Sequence, residues 1–409
     1  MRRPVDPGWA EEQTPTPFLY IKENDYYLLK LLNRGVRRRQ GVLIMKYSLG
    51  LIIYVLGICL CVLSCTKKAE ASAQDGDLIK GKSKEGIEIE FKILSAANKT
   101  VQVGNGNDDF NSSKGRSIDK SYEGILTIPE EIDGYKVVQI GTNAFGDCSI
   151  TSVTIPNGVR TIMERAFSRC KNLSRVVFPE SLITIERDAF YGTRLSIIRI
   201  PESIEYLNEQ AFNHEYIERL EVDPMNKQYD SRNNCNAIIE SSTNKIIVGC
   251  TNTQIPSSVI SIGTSAFSGC SRLTSLSIPK NIRTIGNAAF WRCENLATIS
   301  LSEGLEIIDN GAFACTAISS ITIPSSVSVI GERPFGSCKN LVEIKVNRNN
   351  KKYDSCDDSN VIIETSTNKL IQGCKSSKVP PSVTSIDKWA FFGIDTTNVI
   401  YPSNLEIEE

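Results

Sequence analysis

Apolar residues return along this chain at fixed intervals rather than in the 3.6-residue rhythm of a helix. From Ile128 each unit reads Ile-Pro, then Val or Ile, then Ile-Gly, then Ala-Phe, then Leu, as in IPSSVISIGTSAFSGCSRLTSLS over 255–277. The phenylalanine recurs at Phe145, Phe167, Phe190, Phe212, Phe267, Phe290, Phe313, Phe335 and Phe391, in steps of 22 or 23 apart from two of 55 and 56. Pro129, Pro156, Pro179, Pro201, Pro256, Pro279 and Pro324 follow the same interval. Such a step predicts a mainly β solenoid, each unit one coil that buries its apolar side only when its neighbours stack on it. Within a coil, Leu273-x-x-Leu276-x-Ile278 alternates, which predicts a strand with Leu276 and Ile278 inward and Ser275 and Ser277 outward. The proline then ends the strand, because it has no N–H for the ladder. The glycine of Ile-Gly suits a turn or a crowded backbone, and the phenylalanines suit a stacked column.

The two long steps hold a second repeat, YDSRNNCNAIIESSTNKIIVGC at 229–250 and YDSCDDSNVIIETSTNKLIQGC at 353–374. Two apolar runs around a polar Thr-Asn-Lys predict a β-hairpin in each. The expected organisation is therefore an array over 128–228, a hairpin module over 229–254, a second array over 255–352, a second module over 353–378, and a terminal repeat over 379–409. Upstream, residues 85–127 read as a β cap for the open end of the sheet, with two strands around an Asn-Lys turn at 87–104.

These elements, Leu-x-x-Ile-x-Ile-Pro, Val-x-x-Ile-Gly and Ala-Phe-x-x-Cys, resemble those of the BspA-like leucine-rich-repeat surface proteins, from about Ile128 to Phe391. The resemblance implies a right-handed leucine-rich-repeat superhelix on a bacterial surface and, for some members, adhesion to host matrix or to other cells. Departures are Asp223-Pro224 for Ile-Pro, Leu301-Ser302 without the proline, Pro334 before Phe335, and Thr193 and Glu215 in place of the recurring cysteine.

The strongest local signal is MKYSLGLIIYVLGICLCVLSC from Met45 to Cys65: a single lysine, an apolar run over Leu49–Leu63, then cysteine. It reads as a signal peptide over 45–64. Val62-Leu63-Ser64-Cys65 resembles a bacterial lipobox, which makes Cys65 the lipidated first residue, followed by a polar tether to residue 84. Residues 1–44 then stand outside the natural protein, whose start is Met45. The alternative is an uncleaved signal anchor, for which Arg37-Arg38-Arg39 would be the basic flank. Either reading exports the chain beyond residue 65, and a lipid would hold it in the bacterial envelope, at the outer membrane or cell surface.

Beyond residue 64 the chain carries 37 basic and 42 acidic residues, a balance that offers no footprint for nucleic acid. Of the thirteen cysteines, Cys148, Cys170, Cys270, Cys293 and Cys338 each fall three residues after the repeat phenylalanine. One cysteine per coil reads as a column of small buried thiols, with disulfides as the alternative. No metal site or cofactor is implied, since there is no Cys-x-x-Cys and only one histidine. Gly76–Ser83 spells G-x-x-x-x-G-K-S, but no strand delivers it and no helix follows, so it reads as a chance match in the tether. His214 reads as an exposed loop residue, and without a second histidine any hydrolase would need it as its base. Asp354, Asp357 and Asp358 read either as calcium ligands or as a solvated loop; the first module's Asp230, Arg232 and Asn233 favour the loop.

No catalytic constellation emerges, and the reading is of a non-enzymatic surface protein that recognises other proteins, of host matrix or of other surfaces. An envelope scaffold organising its own surface components is the alternative. The outward strand positions of the second array are hydroxylic, at Thr274, Ser275, Ser277, Thr298, Ser300, Ser319, Ser320 and Thr322. Those of the first array add Arg175, Arg199, Glu218, Arg219 and Glu221, which read as a ligand-binding patch or as ordinary solubilising charge. Trp291 and Trp389 are expected to pack at coil turns.

Overall fold

A computed structural model describes residues 73–106, 116–212, 214–356 and 359–403. The signal-like segment, Cys65 and the acidic pair Asp357 and Asp358 lie outside the described residues.

Each coil contributes two short strands and one tight turn, and successive coils add to two parallel ladders. The strand before the proline forms the first: Ile125–Thr127, Ser152–Thr154 and Arg175–Val177 pair in parallel, as do Ile197–Ile200 with Arg219–Val222. In the second array, Ser275–Ser277 pairs with Thr298–Ser300, and Ser320–Ile323 with Glu343–Val346. The Ile-Gly strand forms the other ladder, in which Gln139, Thr161, Thr184 and Tyr206 stand in register, and likewise Ser261, Thr284, Ile307 and Val329. Parallel pairing of successive coils is what a sequence repeat produces when each unit is translated along one axis. The Pro-side strands stop one or two residues before Pro156, Pro179, Pro201, Pro279 and Pro324, where the missing N–H ends the pairing. The glycine after each Ile-Gly isoleucine answers to crowding: a Cβ on Gly141 or Gly263 would lie 2.7 Å from the carbonyl oxygen of Val103 or Ile246 in the neighbouring strand.

The two ladders close on a core whose spine is the phenylalanine column. Phe145, Phe167, Phe190 and Phe212 stack at 4.9, 5.2 and 5.5 Å between ring centres, and Phe267, Phe290, Phe313 and Phe335 at 5.1, 5.3 and 5.4 Å. Within each array the rings are held by their backbone, since the phenylalanine N–H donates to a carbonyl of the next coil, as from Phe145 to Ala166, Phe167 to Ala189 and Phe290 to Ala312; at the end of the second column Phe335 N–H donates instead to Gln372 Oε1. This explains why Pro334 is tolerated before Phe335. The carbonyl that this position supplies to the preceding coil is kept, Phe313 N–H donating to Pro334 O at 2.8 Å, and the proline gives up only the longer turn bond that the alanine N–H makes elsewhere, as from Ala166 to Met163 at 3.2 Å.

The column breaks where the second repeat intervenes. Tyr229–Asp230, Ile238–Glu240 and Lys245–Val248 pair antiparallel, and the last of them then pairs in parallel with Ser261–Ile262; Tyr353–Asp354, Val361–Glu364, Lys369–Gly373 and Ser385–Ile386 repeat the arrangement. The apolar runs at 237–239 and 246–248 are continuous rather than alternating because both faces are buried. Ile238 and Val248 pack into the first core, Ile239 and Ile246 into the second. Each module is thus a wall shared by two cores. It also ends the ladder before it: Tyr229 Oη accepts from Leu207 N at 2.9 Å and Tyr353 Oη from Ile330 N at 3.0 Å. The Asn226 and Asn350 amides donate to the preceding coil's carbonyls beside the same tyrosines. Gly249 and Gly373 let the wall meet the next ring, since a Cβ on either would overlap Phe267 or Phe391.

At the N-terminal end, Leu78–Lys82, Glu88–Ser95 and Thr100–Val103 pair antiparallel, and the last pairs in parallel with Tyr135–Ile140. The strand Leu78–Lys82 corrects the expectation of a tether running to residue 84. Gly81 sits there against Ile132 and Phe91, and Lys80 pairs with Glu88 at 2.6 Å, so this polar segment is fixed by its partner strand rather than by its own hydrophobicity. The same strand carries the Gly76–Ser83 string, and in it no helix N-terminus follows to gather phosphate.

Candidate functional site

The outward positions of the first array converge on a groove of about 1140 Å³ along the Pro-side ladder. Arg175 and Val177 project from Arg175–Val177, and Ile197 and Arg199 from Ile197–Ile200, because alternate residues of a strand share a face. In the parallel register Arg199 stands opposite Glu221, and its Nε meets Glu221 Oε2 at 2.7 Å. Arg219 binds the other oxygen of the same carboxylate. These exposed pairs each contribute at most about 1 kcal/mol to stability, so a partner can recruit them at small cost.

Of the five patch residues foreseen, Arg175, Arg199 and Glu221 line the groove, and Arg219 joins it through Glu221. Glu218 does not: it turns to Arg272 of the second array, at 2.9 Å. Two apolar residues stand in the groove beside the charges. Val177 and Ile197 are 41% and 48% exposed in the groove, at positions where the second array carries serine or threonine. Their alternation with arginine was the available signal. The module supplies the remaining wall through Asp230, Ser231 and Arg232. Burial acts against the Asp230 charge, but hydrogen bonds from Arg232 and Ser241 outweigh it and hold the carboxyl below its usual range.

Three further observations place the remaining candidate residues. His214 is buried at 2% exposure rather than exposed on a loop, and its Nδ1 lies 3.2 Å from the carbonyl of Gly249, where coil and module meet. Burial lowers its pKa to about 4 despite the favourable contacts with the Gly249 and Ala266 carbonyls, so the ring is neutral and occupied by the backbone. Nine described cysteines, all but Cys356, are free thiols. Cys170, Cys293 and Cys338 donate to the phenylalanine carbonyl of the preceding coil at 2.9, 3.1 and 3.1 Å, and burial pushes Cys148 and Cys293 up to about 12. Thr193 and Thr316, which replace the cysteine, donate instead to the phenylalanine carbonyl of their own coil. Asp354 Oδ1 accepts from the backbone of Ser355 and Cys356. Among the described residues no group of three or more His, Cys, Asp or Glu is placed to hold a metal.

The model of the BspA type leucine-rich repeat region matches residues 138–247, 237–361 and 355–409. The chain belongs to the BspA-type leucine-rich-repeat family. Solved structures similar to this BspA-type chain include a leucine-rich cell surface protein from Faecalibacterium prausnitzii, 22% identical over 80% of this chain and 95% of that one, with a TM-score of 0.47. A leucine-rich-repeat protein from Bacteroides ovatus is 22% identical over 78% and 82%, with a TM-score of 0.47. The pneumococcal vaccine antigen PcpA is 18% identical over 80% and 90%, with a TM-score of 0.43. No curated protein matches the sequence. Against the groove of the first array, the second array of this BspA-type fold presents exposed hydroxyls at Ser275, Ser277, Thr298, Ser300, Ser320 and Thr322, with one ion pair, Glu343–Lys345, on its last coil.

Proposed function

We propose that this BspA-type protein is a non-enzymatic recognition protein of the bacterial surface that binds a protein partner through the strand-face groove of its first array. The observation that carries this is the groove's combination of exposed Val177 and Ile197 with Arg175, Arg199 and the paired Glu221. An apolar centre with arginine beside it is the composition of a protein-interface core, and strands fixed in a stacked ladder present it with little backbone ordering cost. A photo-crosslinking residue at Ile197 is expected to trap one partner, either from host matrix or from the organism's own envelope, and the source distinguishes adhesion from scaffolding. Ile197→Asp is expected to weaken that partner's binding at least tenfold, while Ser300→Asp on the second array leaves it unchanged. Equal binding by both variants would refute the groove.

The lipobox-like Val62-Leu63-Ser64-Cys65 supports anchorage by lipid at Cys65 after removal of residues 45–64. Cys65→Ala is expected to leave the chain unlipidated, measured by the mass of its N-terminal peptide in membrane fractions. An unlipidated wild-type chain retaining residues 1–44 would favour the signal anchor instead.

A further inference from the structure

The coil turns carry a feature that neither the core nor the strand-face groove uses. The residue just after the repeat phenylalanine is small in most coils, namely Gly146, Ser168, Ser268, Ala314 and Gly336. In three coils it is aromatic: Phe392 of the last coil meets Trp389 edge-on at 5.4 Å, whereas Tyr191 and Trp291, on opposite sides of the first module, are 47% and 40% exposed. Tyr191 and Trp291 line one open cleft of about 730 Å³ on the turn side of the solenoid, a volume in the range of small-ligand sites. A single exposed ring is ordinary on a protein surface; the informative feature is that these two share one cleft.

The rings stand on fixed ground. The carbonyl of Tyr191 accepts from Arg169 N at 2.6 Å and that of Trp291 from Gly269 N at 2.7 Å, so each is locked into the coil ladder. Arg292 lies 5.4 Å from the Trp291 ring centre. The lining includes amides and hydroxyls, Gln210, Ser265, Ser268 and Asn287, and Gln210 Nε2 donates to Ser265 Oγ across the junction at 3.2 Å. The charges in the lining balance, four basic against four acidic, and Arg187 pairs with Asp188 and Arg292 with Glu294. A ligand that such a cleft selects is therefore uncharged, rich in hydroxyls, and has apolar ring faces to lie on aromatic platforms. The platforms are at least three coil steps apart, on the order of 15 Å at about 5 Å per step, which requires a chain of rings rather than one.

We propose that this turn-side cleft binds a neutral oligosaccharide, with Tyr191 and Trp291 as its two stacking platforms and Gln210, Ser268 and Asn287 as hydrogen-bonding partners. The site is independent of the strand-face groove, and either can fail without the other. The test is calorimetric titration of the full-length protein with a panel of neutral tetrasaccharides: maltotetraose, cellotetraose, xylotetraose and tetra-N-acetylchitotetraose. At least one is expected to bind, with Tyr191→Ala and Trp291→Ala each weakening it at least tenfold at unchanged melting temperature. Tyr206→Ala, which removes an equally exposed tyrosine outside the cleft, is expected to bind as the wild type does. Ile197→Asp in the strand-face groove is also expected to bind normally. Failure of the whole panel to bind, binding that survives loss of both platforms, or a cleft that proves to be covered by a protein partner would each overturn the proposal.

Discussion

Replacing Phe290 by alanine is expected to destabilise the protein by about 3–5 kcal/mol, the usual cost of emptying a buried phenylalanine site. Phe290 is fully buried and stacks on two rings, Phe267 at 5.1 Å and Phe313 at 5.3 Å. Its backbone is fixed from both directions, because its N–H donates to Ala312 O and its carbonyl accepts from Cys293 N. The coil therefore has little freedom to collapse into the void, which places the cost at the upper end. In a solenoid the loss also falls on the contact between neighbours, on which all coupling between coils depends. A urea titration of Phe290→Ala is expected to show a broadened or two-step transition where the wild type shows one. Phe290→Leu, which keeps apolar volume but forfeits ring stacking worth about 0.5–1.5 kcal/mol per pair, is expected to shift the midpoint without splitting it. A sharp, wild-type-like transition in the alanine variant would mean that the column does not carry the coupling.

Lowering the pH from about 6.5 to about 4 is expected to remove about 3 kcal/mol of stability through His214 alone. The sign follows from where the proton binds. In the folded chain burial holds the imidazole neutral down to a pKa of about 4, whereas the unfolded chain takes up the proton near 6.5. Through that window the unfolded state binds the additional proton, so stability is complete above about 6.5 and falls as the pH drops toward the folded value. Carboxylates such as Asp230 and Asp387, held below their ordinary 3.8 by hydrogen bonds that outweigh burial, lose their contribution only at still lower pH, so the two effects separate. His214→Gln keeps a donor for the Gly249 carbonyl and has no charge to acquire, and its urea midpoint is expected to be nearly flat between pH 6.5 and 4. The same slope in variant and wild type would assign the acid sensitivity elsewhere. The second module indicates that an amide can do this work: Gln372 is fully buried and donates to the carbonyls of Gly373 and Ala390, both at 2.8 Å.

The sequence by itself determined the coil. A step of 22 or 23 residues, with phenylalanine, proline and glycine at fixed phases, leaves one way to bury the apolar positions, which is to stack copies, and the ladders, the ring column and the row of thiols follow from translation alone. The paired tyrosine-bearing repeats were legible as hairpins for the same local reason. What the sequence left open is decided by distance through space. His214 looked like one more turn residue because nothing local shows that the module, 35 residues later, closes over it. Leu78–Lys82 looked like a tether because its order comes from a partner strand and not from its own side chains. Glu218 belonged by sequence to the arginine-rich face, yet it pairs across the junction with Arg272. Val177 and Ile197 acquire meaning only with the module wall beside them, as Tyr191 and Trp291 do when a hundred intervening residues fold away and bring both to one cleft. Periodicity fixes what every coil shares; a site is built where coils differ, and only the stacked structure shows which differences become neighbours.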